Sequence, residues 1–147
     1  VIADVALKEV GYTEGVANAN KYSAALHRPA ESWCADFVSW CAEQVGDPVF
    51  NSAGVNEWYA WAKANGYLVP VATSKRNDLL LFSFSGIQLE HIGINLGWNP
   101  NTHLFDTVEG NTSSSMTGSQ SQGDCVAIKH RPASCIKYAI RPKWKTT

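Results

Sequence analysis

No apolar run in this chain approaches the roughly 20 residues that cross a bilayer, and its start has no charged segment leading into a continuous apolar stretch. Neither a membrane helix nor a signal peptide is expected. Charge of one sign is equally scarce. Twelve Lys and Arg against thirteen Asp and Glu leave a net charge of −1 and a pI of about 6.4, so no basic field exists to recruit nucleic acid or an anionic membrane. The cysteines, Cys34, Cys41, Cys125 and Cys135, show no CxxC spacing, and the four histidines are dispersed singly. That pattern argues against structural zinc, and no metal or other cofactor is expected. Internal repeats are absent too. The chain begins at Val1 rather than Met, which suggests a processed product or a catalytic piece of a longer polypeptide.

What is present is enough for one core: 147 residues with 45% hydrophobic content read as a single domain over residues 1–147, and as a monomer. The clearest helical signal is the stripe Cys34, Phe37, Val38, Cys41 and Val45, with Ser32 as the expected N-cap and Gly46-Asp47-Pro48 as the stop. A helix from Val55 to Asn65 ends at Gly66. Shorter helices are expected near Asp4 to Val10, with Asp4 as cap, and around Lys21 to Leu26. Strands are expected over Leu79 to Phe82, His91 to Trp98, His103 to Val108, Val126 to Lys129 and Ile136 to Ile140, with Asn111 to Gly123 as a polar surface loop. Helices followed by strands argue for an α+β domain, N-terminal helices packed on a C-terminal antiparallel sheet.

Cys34 and Cys41 on one helix stand roughly 10 Å apart at 1.5 Å rise per residue, beyond disulfide reach. Cys125 and Cys135 flank the turn-like His130-Arg131-Pro132-Ala133 and could pair, although two small core thiols explain them more simply. The two cysteines of the helix differ by position. Cys34 stands in the first turn, where amide dipoles favour a thiolate, whereas Cys41 lies two turns on and reads as a small core residue.

Asn99-Pro100-Asn101 is a turn signal. A hairpin centred near Pro100 without a bulge places His91 opposite Glu109, with Asn111 as the diagonal neighbour. On that register Ile92, Ile94, Leu96 and Trp98 share the core face with Leu104 and Val108, and His91 and Glu109 share the other. Alone, such a pair is commonly an ordinary solvated cross-strand contact. With a cysteine at a helix start it becomes the constellation for acyl transfer: nucleophile, base and orienting groups. His27, His103 and His130 lack a partner of this kind and receive no role.

The segments that carry this constellation are Trp33-Cys34-Ala35-Asp36-Phe37-Val38-Ser39-Trp40-Cys41, Asn77-Asp78-Leu79-Leu80-Leu81-Phe82, His91-Ile92-Gly93-Ile94 and Val108-Glu109-Gly110-Asn111-Thr112. In this order they resemble the CHAP family, the cysteine, histidine-dependent amidohydrolases/peptidases of phage endolysins and bacterial autolysins. The resemblance implies a papain-like fold within the NlpC-like group and action on peptidoglycan at the bacterial cell wall. It puts the nucleophile on Cys34, the histidine on His91, the acid on Glu109 and the asparagine on Asn111. Calcium-binding members carry aspartates just before the cysteine, whereas Val16 to Trp33 holds one acidic residue, Glu31, so no calcium site is expected there. Trp33 is a candidate wall of a substrate groove, and Tyr22 a candidate second donor to the oxyanion beside the Cys34 backbone N–H. Each could equally be an aromatic of the core. Two other functions remain open on sequence: a non-catalytic wall-binding module, and an acyltransferase that passes the acyl group to an amine. Which amide bond is cleaved is not readable from spacing.

Overall fold

The computed structural model describes residues 1–46, 49–112 and 123–144. Four helices precede and flank a six-stranded antiparallel sheet: α1 (Ile2–Leu7), α2 (Lys21–Ala25), α3 (Cys34–Val45) and α4 (Val55–Asn65), then β1 (Leu68–Val69), β2 (Leu79–Phe82), β3 (His91–Asn99), β4 (Leu104–Thr112), β5 (Cys125–Arg131) and β6 (Ile136–Ile140). The strand order is β1-β6-β2-β3-β4-β5. The α+β expectation therefore holds.

The helical stripe folds as its period requires. Cys34, Phe37, Val38, Cys41 and Ala42 are buried on α3, which lies over β3 and β4 and shares one core with Ile92, Ile94 and Val108. Gly46 and Gly66 end α3 and α4 with φ of +84° and +73°, a region that glycine enters without a Cβ clash. β2 is buried on both faces. Leu79 and Leu81 meet the helices, while Leu80 and Phe82 join Phe105, Ile136 and Ala139 in a smaller cluster behind the sheet.

Several local expectations are corrected. α1 starts earlier than Asp4 because Ile2 and Ala3 are buried; Asp4 lies inside it and pairs with Arg76 at 2.8 Å instead of capping. The N-cap of α3 is Trp33, not Ser32, and it makes no side-chain cap bond. Asn20, not anticipated, caps α2 by accepting from the Ser23 N–H at 2.8 Å. β1 is too short for any periodic signal. Asn111 and Thr112 complete β4 rather than begin a loop, and residues 113–122 of the expected loop lie outside the described residues.

The β3–β4 hairpin departs most from expectation. Asn99 pairs with Leu104, so the turn is longer than a Pro100-centred one, and the register shifts again between Asn95 and Gly97. Toward the strand start Ile94 faces Val108, two residues out of step with the expected pairing. An even displacement keeps His91 and Glu109 on the same face. The bulge, however, reverses the alternation beyond it: Trp98 pairs with Phe105 and packs on its ring at 4.8 Å, instead of joining the core face.

Candidate active site

Cys34 is the first residue of α3 and His91 the first of β3, so both stand at element ends, where the helix start meets the end of the sheet. Cys34 is 7% exposed; His91, Glu109 and Asn111 are 0%, 0% and 1% exposed. His91 Nε2 and Glu109 Oε1 are 2.7 Å apart. The partners are not directly opposed. A Cβ placed on Gly93 would lie 2.6 Å from Glu109 Cγ, so the Glu109 side chain crosses the bare backbone of Gly93 to reach the imidazole. The two-residue register difference is bridged because position 93 has no side chain.

Glu109 is held from four directions. Arg131 donates through Nε to Oε2 at 2.8 Å and through Nη2 to Oε1 at 2.5 Å, the Thr107 hydroxyl donates to Oε2 at 2.6 Å, and His91 completes the set. The guanidinium stacks over Phe84 and Phe82, with centroid distances of 4.9 Å and 5.4 Å. Burial alone would neutralise this carboxyl, but Arg131 and then His91 outweigh it and lower Glu109 from 4.5 to about 2. Burial likewise opposes charge on His91. The Glu109 carboxylate and then Cys34 outweigh it and raise the imidazole from 6.5 to about 9. Both directions describe one dry, ionised pair.

The other ring nitrogen, Nδ1, is buried and has no hydrogen-bond partner among the described residues. With Nε2 committed to Glu109, Nδ1 is the nitrogen left to face the Cys34 thiol, whose proximity favours the imidazolium. Trp33, at the N-cap of α3, makes no side-chain bond to the helix start, where Cys34 stands in the first turn. Asp36 in the same turn is occupied instead by Ser23 and Arg28, each at 2.6 Å. Asn111, two residues beyond Glu109, takes a left-handed φ of +54° where β4 bulges against β5.

Trp33 and Tyr22 do not form an exposed groove wall, since both are 0% exposed. They stack on each other at 5.3 Å, and Phe37 meets the Tyr22 ring edge-on. Trp33 Nε1 donates to Glu14, and the Tyr22 hydroxyl to Glu9, both at 2.9 Å. Tyr22 therefore spends its proton on a carboxylate rather than holding it for an oxyanion. His130 does have a partner, Asp106 at 2.7 Å across β4–β5, but both are partly exposed, unlike the buried His91–Glu109 pair. All four cysteines are free, so Cys125 and Cys135 do not pair. Sequence reasoning missed Arg131 and Thr107. Thr107 shares the alternation of Glu109 and could have been placed on its face; nothing local marks Arg131, 22 residues away from its partner in the chain.

Comparison with known proteins follows the same lines. The family model of the CHAP domain matches residues 26–111, more than half of the chain and the stretch that holds Cys34, His91, Glu109 and Asn111. The fold is similar to the crystal structure of a wild-type endolysin, LysIME-EF1, with a TM-score of 0.56 at 14% identity. That similarity covers 99% of this chain and 64% of the endolysin chain. No curated protein matches.

Proposed function

The chain belongs to the CHAP domain family, and from that premise we propose that it hydrolyses an amide bond of bacterial peptidoglycan through a thioester on Cys34. Residues 1–147 would act as one catalytic domain, a monomer working on the cell wall. The observation that carries the reading is the buried His91–Glu109 pair, whose other ring nitrogen is left to the Cys34 thiol at the start of α3.

In the first half-reaction the Cys34 proton already rests on His91 Nδ1, giving a thiolate beside an imidazolium, and the sulfur attacks the amide carbonyl. The imidazolium, held charged by Glu109, gives that proton to the leaving amine as the C–N bond breaks. In the second half, neutral His91 takes a proton from water, hydroxide adds to the thioester, and the proton returns to the departing sulfur. The Cys34 backbone N–H, in the first turn of α3, is the proposed oxyanion donor. Glu109 orients the imidazole and balances its charge, and Asn111 is the second proposed orienting group.

The test is turbidity of purified Gram-positive cell walls under reducing conditions, comparing the parent with Cys34→Ala, followed by mass analysis of released fragments. Clearing by the parent alone, with new termini at one amide, is the expected result. Equal clearing by both proteins contradicts the catalytic assignment. Binding without clearing by either favours a wall-binding module, and new cross-links in place of soluble fragments an acyltransferase.

A further inference from the structure

Arg131 lies outside the set of nucleophile, base and orienting groups, yet it is among the most deliberately placed side chains in the molecule. It is 5% exposed, forks onto both oxygens of Glu109, and is covered on one side by Phe84. A buried guanidinium this far from solvent is costly unless it is fully paired. Glu109 alone would not require it, because His91 already supplies a partner at 2.7 Å.

The reason emerges from following the proton. When His91 has given its Nδ1 proton to a leaving amine, the pair His91–Glu109 is left as a neutral imidazole beside a carboxylate with no exposed surface. With no further cation, a buried lone carboxylate is disfavoured, and the pair retains a proton. That retained proton disables the base: a protonated Glu109 would donate to Nε2, and the imidazole would then carry its hydrogen on Nδ1. A ring in that form cannot accept a proton from thiol or water. An ionised Glu109 can only accept, so it fixes the hydrogen on Nε2 and leaves the Nδ1 lone pair facing Cys34.

Resting on the function proposed above, we propose that Arg131 is a positioning residue that keeps Glu109 ionised through the turnover and thereby fixes His91 in the Nε2–H tautomer, with Nδ1 as the base. The groups facing the pair are Thr107 on β4, Lys129 and Arg131 on β5, Cys135 in the turn that follows, and Cys34 from α3. Of these, Arg131 alone binds both carboxylate oxygens, while burial disfavours the charge of Lys129.

Arg131→Gln removes the charge and the fork. The rate of wall clearing should fall roughly 10²-fold, the scale of a lost general base. More diagnostic, the acid-side limb of the pH–rate profile should move up by about one unit or more, because the pair now holds its proton to higher pH. Arg131→Lys keeps the charge, and its limb should stay near that of the parent. A variant that loses thermal stability while its limb stays put would show Arg131 to be structural only and overturn the proposal. Should Arg131→Gln fail to fold, the imidazole nitrogen shifts of His91 in the parent decide by themselves. Above the His91 titration, hydrogen on Nε2 is expected, and hydrogen on Nδ1 would refute the proposal. This readout is independent of substrate, so a parent that leaves walls intact would sink the proposed function without deciding the tautomer.

Discussion

Gly93→Ala is a one-carbon change that reaches the site without replacing any of its proposed chemical groups. The added Cβ would lie 2.6 Å from Glu109 Cγ, 3.4 Å from its Cδ and 3.3 Å from Phe82 Cε2. The first distance is too short to survive, so one partner must move. Gly93 is held in the β2–β3–β4 ladder, opposite Leu80, and Glu109 is tied by Arg131, Thr107 and His91, so the strain falls on the pair itself. Overpacking of this kind costs about 1–3 kcal/mol, offset by the roughly 0.4–1 kcal/mol that alanine gains over glycine in the unfolded chain. A net loss of about 1–2 kcal/mol is expected. A displacement near 1 Å of an orienting group costs about 10²-fold in rate, so clearing should suffer far more than folding. Thermal melting and initial clearing rate of the purified variant test this. Activity and melting both equal to the parent would refute the path of Glu109 across Gly93, and with it the bridging of the register difference.

Gly110→Ala should behave in the opposite way: its Cβ would meet Phe37 Cβ at 2.7 Å and Trp33 Cζ3 at 2.9 Å, both in the packed α3 interface, so melting should drop by several degrees before activity is limited by chemistry. A melting temperature like the parent's would contradict that packing. The His91–Glu109 pair also sets a stability window. The raised His91 stabilises fully below 6.5 and loses this as pH rises through about 9, while the lowered Glu109 stabilises fully above 4.5 and loses this as pH falls through about 2. Glu109→Gln removes the carboxylate that does most to raise His91 and leaves burial opposed by Cys34, so the alkaline decline of melting temperature should move to lower pH; a profile parallel to the parent's would disprove the coupling. Finally, burial raises the Cys41 thiol well above its ordinary value, whereas Cys34 sits at the site. Brief alkylation of the folded protein should label Cys34 and stop clearing while sparing Cys41, as peptide mapping would reveal, and labelling of Cys41 first would contradict the assignment.

Much of the site was legible because it rests on periodicity. The stripe from Cys34 to Val45 sets the cysteine at a helix start, and parity along β3 and β4 puts His91 and Glu109 on one face whatever even register the hairpin adopts. The actual register was not legible, because the bulge at Asn95–Gly97 answers to twist and packing rather than to a local motif. Its consequence, a glutamate reaching diagonally over Gly93, depends on a residue that contributes only an absence. Arg131 escaped for a different reason: its partner is remote in sequence, and a lone arginine near a strand end looks like a solvated one. Trp33 and Tyr22 were ambiguous by nature, since a core aromatic and a groove aromatic have the same sequence appearance, and here Tyr12, Phe37 and Trp40 close around them.

The central claim is a covalent one, that the acyl group passes through the sulfur of Cys34, and acid quenching during turnover of soluble wall fragments followed by intact mass and peptide mapping tests it most directly. The expected result is an adduct with the mass of the acyl portion, confined to the peptide that holds Cys34, labile to hydroxylamine and missing from Cys34→Ser. Turnover by Cys34→Ser at the parent's rate, or an adduct on any other residue, would contradict it.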